Sequence, residues 1–126
     1  MDIIKEKIDK CADFLYKNGY EIVDLCSRPC KRDQRLEIDI VAYDRNMETI
    51  VMCLVRTHKK RDLKTRMMNC YKFEALQKIR KAGRCWVKAQ KWNGKVRIDI
   101  IDIYDDGSID HEQKCAPWGI DGKIEI

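Results

Sequence analysis

The stretch Arg35-Leu36-Glu37-Ile38-Asp39-Ile40-Val41-Ala42-Tyr43 decides how the rest of the chain is read, together with Thr49-Ile50-Val51-Met52-Cys53-Leu54-Val55-Arg56 that follows it. In the first, Leu36, Ile38, Ile40 and Ala42 alternate with Glu37, Asp39, Val41 and Tyr43, the period-two pattern of a strand. The second is nearly all apolar, as suits a central strand buried on both faces. Asp44 to Met47 supplies the turn, so the two are expected to pair as a hairpin. Period-two geometry puts Glu37 and Asp39 on one side of their strand and Met52, Leu54 and Arg56 on one side of the next. Pairing would bring Asp39 near positions 54 and 56.

Working outward, Ile4, Ile8, Cys11 and Leu15 form an amphipathic stripe after a candidate N-cap at Asp2, and Asn18-Gly19 closes that helix. Tyr20 to Cys26 reads as a strand, and Arg28 to Gln34 as a basic loop containing Pro29. Beyond residue 56 lies a second basic loop, Thr57-His58-Lys59-Lys60-Arg61-Asp62. Leu63, Met67, Cys70, Phe73, Leu76 and Ile79 then mark a helix expected to close near Gly83, with Lys78, Arg80 and Lys81 at its negative end. Arg84 to Lys91 is expected to be a strand, joined through an Asn93-Gly94 hairpin to a strand at Lys95 to Tyr104. Asp105-Asp106-Gly107-Ser108 is a turn, and Ile109 opens a short edge element. The order is α-β-β-β-α-β-β, with a parallel crossover over residues 49–90 and hairpins at 20–56 and 84–104. This is an α/β class fold, a mixed sheet with helices packed on it.

The 126 residues suit one domain, 1–126, with a core at about 2–116 and a C-terminal extension at 117–126. No apolar run approaches the roughly 18 residues of a membrane span, and the N-terminus lacks a signal-peptide plan. A soluble cytoplasmic protein is therefore expected. Its seven cysteines are expected to be reduced, with Cys11, Cys53, Cys70 and Cys85 in apolar patterns. Cys26-x3-Cys30 with His111-x3-Cys115 is a loose zinc-ligand spacing, weaker than the reduced-thiol reading.

Charge is divided unevenly. Residues 1–97 hold 24 Lys and Arg against 13 Asp and Glu, whereas residues 98–126 hold 2 against 8. A body carrying +11 attracts polyanions, and nucleic acid is the commonest in a cell. Arg28, Lys31, Arg32 and Arg35 precede the strand bearing Asp39, and Lys59, Lys60, Arg61, Lys64 and Arg66 follow the strand bearing Arg56. The competing account is a solvated surface of mixed charge. Trp86, Trp92 and Trp118 could stack on bases, although Trp86 reads as core and Trp92 as flanking a turn.

At this point the chain resembles a family. Ala12-x-x-Leu15-x-x-x-Gly19-Tyr20, Glu37-Ile38-Asp39-Ile40-Val41-Ala42 and the apolar strand at 50–56 are similar to the YraN-type small proteins, members of the restriction-endonuclease-like PD-(D/E)xK superfamily. The likeness continues through Lys72, Arg97-Ile98-Asp99-Ile100-Ile101 and Ile109-x-His111, over about residues 8–116. It implies a restriction-endonuclease-like sheet in which Asp39, and with it Glu37, binds Mg²⁺. It also implies a glutamate at position 54 and a lysine at position 56. Here those positions are Leu54 and Arg56, Leu36 replaces a glycine, and Asp9 replaces an early helix glutamate. Leucine coordinates no cation. Arginine stays protonated, so it cannot deprotonate water, but it can grip phosphate.

Asp39, Glu37 and Arg56 are thus read as a remnant catalytic site. Asp39 and Glu37 are its only candidate metal ligands, and the missing acid argues against Mg²⁺. The phosphate-binding candidates are Arg28, Lys31, Arg32, Arg35, Arg56, Lys59, Lys60, Arg61, Lys64 and Arg66. The expected function is nucleic-acid binding, DNA before RNA, with lost or weak phosphodiester cleavage. An active Mg²⁺-dependent endonuclease with relocated ligands and a protein–protein module are the alternatives. No membrane partner is expected, and a homodimer stays open.

Overall fold

The computed structural model describes residues 3–59 and 73–116. Five strands form one mixed sheet in sequence order: β1 (Tyr20–Ser27), β2 (Ile38–Asp44), β3 (Thr49–His58), β4 (Lys95–Tyr104) and β5 (Ile109–Ala116). The β1–β2, β2–β3 and β4–β5 pairs are antiparallel, and β3–β4 is parallel. Helix α1 (Ile3–Lys17) packs on one face and α2 (Phe73–Gln90) on the other. The α/β class, the mixed sheet and the α-β-β-β-α-β-β order are as expected from the sequence. No helix among the described residues is long and apolar enough to cross a membrane.

Helix α1 buries Ile8, Cys11, Ala12 and Leu15, one stripe at helical spacing, against Ile40, Ala42, Val51, Cys53, Ile101 and Ile103. It ends at Gly19, whose φ of +91° is the left-handed conformation that a Cβ would penalise. The Asn18 side-chain amide donates to the Phe14 carbonyl at 2.7 Å, satisfying one carbonyl of the last turn.

Helix α2 corrects two expectations. It does not close near Gly83, and Arg84–Gln90 is helix rather than strand. Ile79, Ala82, Trp86 and Val87 face the sheet and pack on Met52, Ile98 and Ile100, while Gly83 is itself buried. The apolar stripe therefore runs through the glycine, and its burial outweighs the roughly 1 kcal/mol helix penalty of Gly against Ala. The helix stops instead at Lys91, with a φ of 54°, where the Trp92 N–H donates back to the Val87 carbonyl at 3.0 Å. Asn93-Gly94 therefore joins α2 to β4 and is not a hairpin turn. A side chain at 94 would meet the Trp92 ring at 2.5 Å, so close approach is what requires glycine there. The hairpin of this half is β4–β5, turning at Asp105–Ser108 as expected, with Gly107 at φ 87°. The crossover joins β3 to β4, and the expected helix residues 63–72 lie outside the described residues, as does 117–126.

One buried polar network ties four strands together. Arg97 (β4) donates to both oxygens of Asp99 at 2.8 and 2.9 Å, to Asp44 (β2) at 3.1 Å and to the Tyr20 hydroxyl (β1) at 2.8 Å. His111 (β5) lies 2.6 Å from Asp99 Oδ2, its ring edge-on to Tyr20. Burial alone would raise the Asp99 pKa, but the hydrogen bonds from His111 and Arg97 outweigh it and hold the carboxyl below its ordinary value.

Removing one partner of such a pair strands the other charge. Arg97→Met should lower unfolding stability by about 3–5 kcal/mol in urea. Arg97→Met with Asp99→Asn should recover part of that loss, because the stranded carboxylate is gone.

Candidate functional site

Asp39 lies at one end of the β2–β3 pair, the end at which β3 also carries Leu54 and Arg56. The antiparallel register runs from Asp44 opposite Thr49 to Ile40 opposite Cys53. Continued by one step, it would set Asp39 opposite Leu54, the juxtaposition the sequence implied. The backbone ladder does not continue, however. The Val55 N–H donates to Asp39 Oδ2 at 2.8 Å, so a side-chain carboxylate takes the place of a strand carbonyl. Burial pushes the Asp39 pKa up to about 6, against the lowering effect of the Val55 hydrogen bond, and the Glu37 charge raises it further.

Glu37 is not on the strand. β2 begins at Ile38, so Glu37 belongs to the loop before it, yet its charge still reaches Asp39, and both carboxylates act on the Cys26 thiol. Its carboxylate lies 3.8 Å from the Arg28 guanidinium. Leu54 is partly buried and packs into the α2-side core. Arg56 turns away to β4: Nε and Nη2 donate to the two oxygens of Asp102 at 2.9 and 3.2 Å. His58 approaches the same carboxylate at 2.7 Å. Arg56 and Asp102 are about nine-tenths buried at the side chain, so this fork is an interior ion pair. Sequence analysis missed Asp102 and His58 as partners of Arg56. Only the parallel register, with Arg56 beside Asp102, reveals them.

These donors do not fit a resident divalent cation. Magnesium takes octahedral oxygen ligands, generally one or two carboxylates with water and phosphate. One Asp39 oxygen is held by a backbone amide, and Leu54 offers no donor. Among the described residues, no three His, Cys, Asp or Glu side chains converge as a metal site. The zinc spacing is also overturned, because Cys30 is bonded to Cys85 across 55 residues of sequence, and His111 is held at Asp99. That bridge corrects the expectation of reduced thiols at Cys85. Cys11, Cys26 and Cys53 are free thiols.

Of the cations chosen from sequence, Arg28, Lys31, Arg32 and Arg35 are exposed on the loop between β1 and β2. Arg35 is forked onto Asp33 at 3.0 and 3.3 Å. Lys59 is exposed at the end of β3. Lys60, Arg61, Lys64, Arg66 and Lys72 lie outside the described residues, as do Cys70 and Trp118. Trp86 is buried in the core. Trp92 stands edge-on to Tyr43 and donates its indole N–H to the Lys95 carbonyl at 3.1 Å. Neither described tryptophan is a free stacking platform.

The raised Asp39 pKa makes a signed pH prediction. A carboxyl whose folded pKa lies above its unfolded value binds more protons when folded, so stability falls as pH rises from about 3.8 to about 6. The full swing is about 3 kcal/mol at most. Asp39→Asn should remove that decline. It should be near neutral at pH 3.5 and raise stability at pH 7, read by urea unfolding at several pH values.

No curated protein matches the chain. A family model does match, over residues 9–103, a span that includes the second half of α1, the β1–β2 loop, the Asp39 and Arg56 strands, α2 and nearly all of β4. The match agrees with the YraN-type resemblance, and the chain belongs to the uncharacterised protein family UPF0102.

Proposed function

We propose that this protein binds nucleic acid through its phosphate backbone and cleaves phosphodiesters weakly or not at all. The observation that supports this most directly is the state of the remnant site. Asp39 is a partly buried carboxyl with its pKa pushed up to about 6, hydrogen-bonded to a backbone amide in its own sheet. The register leads from it toward a leucine rather than a second acid. A metal-dependent hydrolysis would need a cation to polarise the phosphate and acidify a bound water. The chain's own residues offer that cation only the constrained Asp39 carboxylate and the Arg28-paired Glu37 here. Arg56 is a poor substitute, since Asp102 holds its Nε and Nη2 and its Nη1 is buried away from solvent. Its role is therefore read as an interior partner of Asp102 rather than a phosphate contact.

The charge distribution favours a polyanion. The exposed cations of the β1–β2 loop stand beside this end of the sheet, and Lys59 begins the run Lys59-Lys60-Arg61 after β3. Contacts of lysine and arginine with phosphate carry affinity without base specificity, and each releases a counterion. Binding should therefore be tolerant of sequence and should weaken steeply with salt.

Fluorescence anisotropy with a labelled DNA duplex tests this. Micromolar affinity at about 50 mM salt is expected, falling by orders of magnitude at about 200 mM. Lys59→Ala, Lys60→Ala and Arg61→Ala together should weaken binding on every sequence and flatten the salt slope. Absence of binding to duplex, branched and single-stranded probes at low salt would refute the proposal. Incubation of labelled DNA with Mg²⁺ or Mn²⁺ should show little or no cutting by the wild type. Strong cutting that vanishes in Asp39→Ala would favour the second reading, an endonuclease with relocated ligands.

A further inference from the structure

The loop between β1 and β2 and the outer face of α2 are far apart in sequence, yet one covalent bond holds them together. Cys30 of the loop is bonded to Cys85 of α2, their Cα atoms 5.4 Å apart, well inside the range a disulfide spans. The loop's hydrogen bonds and ion pairs are local: Asp33 N–H to the Cys30 carbonyl, Leu36 N–H to Asp33, Gln34 to Cys30, Arg35 to Asp33 and Arg28 to Glu37. Leu36 adds an apolar contact with the α2-side core. The bridge is therefore the covalent fastening of an otherwise self-contained basic loop.

Cys85 sits within a row of cations. Lys78, Lys81, Arg84 and Lys88 are all exposed. At 3.6 residues per turn, they and Cys85 fall within about a third of the helix circumference. That face is opposite the Ile79, Trp86 and Val87 side that enters the core. Lys31 and Arg32 are exposed on the loop immediately beside Cys30. Asp33 reports the proximity of the two elements: its carboxyl is held low chiefly by hydrogen bonds from Arg35, with Lys81 of α2 adding a smaller attraction. Among the described residues, none of these six cations has an ion-pair partner.

We infer that the Cys30–Cys85 bridge joins the basic loop and the basic face of α2 into one duplex-binding ridge, and that reducing the bridge takes the ridge apart. This rests on the nucleic-acid reading above and extends it to a second surface and its control. From Lys78 to Lys88 the helix spans about 15 Å of axis. Phosphates of one DNA strand recur every ~3.4 Å of duplex axis, so the ridge can face about four of them. A membrane surface is a poorer match, because an interfacial helix pairs its cations with exposed large apolar side chains. Among the described side chains, the exposed large apolar residues are Tyr16, Val23, Leu25 and Met47, none of them on α2 or the loop.

The chemistry is a two-electron thiol–disulfide exchange. A dithiol reductant attacks the bridge, Cys85 being its partly exposed partner. Cys30 and Cys85 leave as thiols, and the reductant closes into its own disulfide. The other described thiols are poor nucleophiles toward the bridge: burial pushes Cys11 up to about 12 and Cys53 well above its ordinary value, and raises Cys26 as well. Released from α2, the loop must be ordered again at each binding event, and that ordering lowers affinity.

The test measures binding of the oxidised and the dithiothreitol-reduced protein to a labelled duplex, with hydrogen exchange of residues 28–37 followed in parallel. Reduction should weaken binding about tenfold, flatten the salt slope by about two and speed exchange in the loop. Cys30→Ser with Cys85→Ser should match the reduced protein with or without reductant, whereas Cys26→Ser should keep the response. Lys81→Ala with Arg84→Ala should weaken the oxidised protein. Equal binding in both redox states, or loss of the response in Cys26→Ser, would overturn the ridge. A redox response seen only with phosphatidylserine vesicles would overturn it in favour of a membrane. Absence of duplex binding in both states would overturn the nucleic-acid reading itself, a result distinct from equal binding in both.

Discussion

The parallel pairing of β3 with β4, from Thr49 beside Lys95 to His58 beside Tyr104, is the constraint from which the other features follow. Parallel neighbours cannot be joined by a tight turn, so the chain must leave the sheet after His58 and return at Lys95. That return places α2 on one face, while α1 holds the other. β3 and β4 are consequently buried on both sides, which is why Ile50 to Cys53 is wholly apolar and β4 is buried from Val96 to Tyr104 with isoleucine as its commonest residue. The exceptions within β4, Arg97, Asp99 and Asp102, are each held by charged partners. In so buried a strand an unpaired charge would be too costly.

The same pairing accounts for the altered site. With Arg56 alongside Asp102, the cation that ends β3 is drawn across to β4 rather than toward Asp39. Asp39 is left with the Val55 amide and with low-dielectric surroundings that favour its protonated form. A partly buried acid beside a leucine is a poor magnet for a divalent ion. An exposed basic loop a few residues away remains well suited to phosphate. The two facts support the proposal of phosphate binding without efficient cleavage.

The cysteines carry a related lesson. Cys11 and Cys53 behave as small buried hydrophobes in the α1-side core. Cys30 and Cys85 do something else. Their bond sets a loop rich in arginine and lysine against a helix face rich in the same residues, a juxtaposition that charge repulsion alone would oppose. A covalent tie that holds like charges together concentrates positive potential on one side of the molecule.

Local patterns settled much of this structure. Helix α1 and its glycine cap, strands β2 and β3 with their turn, and the Asp105–Ser108 hairpin turn all follow from periodicity and turn chemistry within short windows. So does the pairing that sets Asp39's strand beside Arg56's. Residues 84–91 misled because β-branched and aromatic content together with Asn93-Gly94 imitate a hairpin. The stripe Ile79, Ala82, Trp86 and Val87 carried the helical signal across Gly83. What local sequence could not supply were the relations that depend on tertiary register. Asp102 captures Arg56 only once β4 lies parallel to β3 in one particular alignment. Cys30 meets Cys85 only once α2 is laid across the sheet. Glu37 falls in the loop because β2 begins at Ile38, three residues later than its alternation suggests. Periodicity reports which residues share a face of one element. Which charges and thiols meet across elements is fixed by packing, whose long-range contacts leave no mark in a short window of sequence.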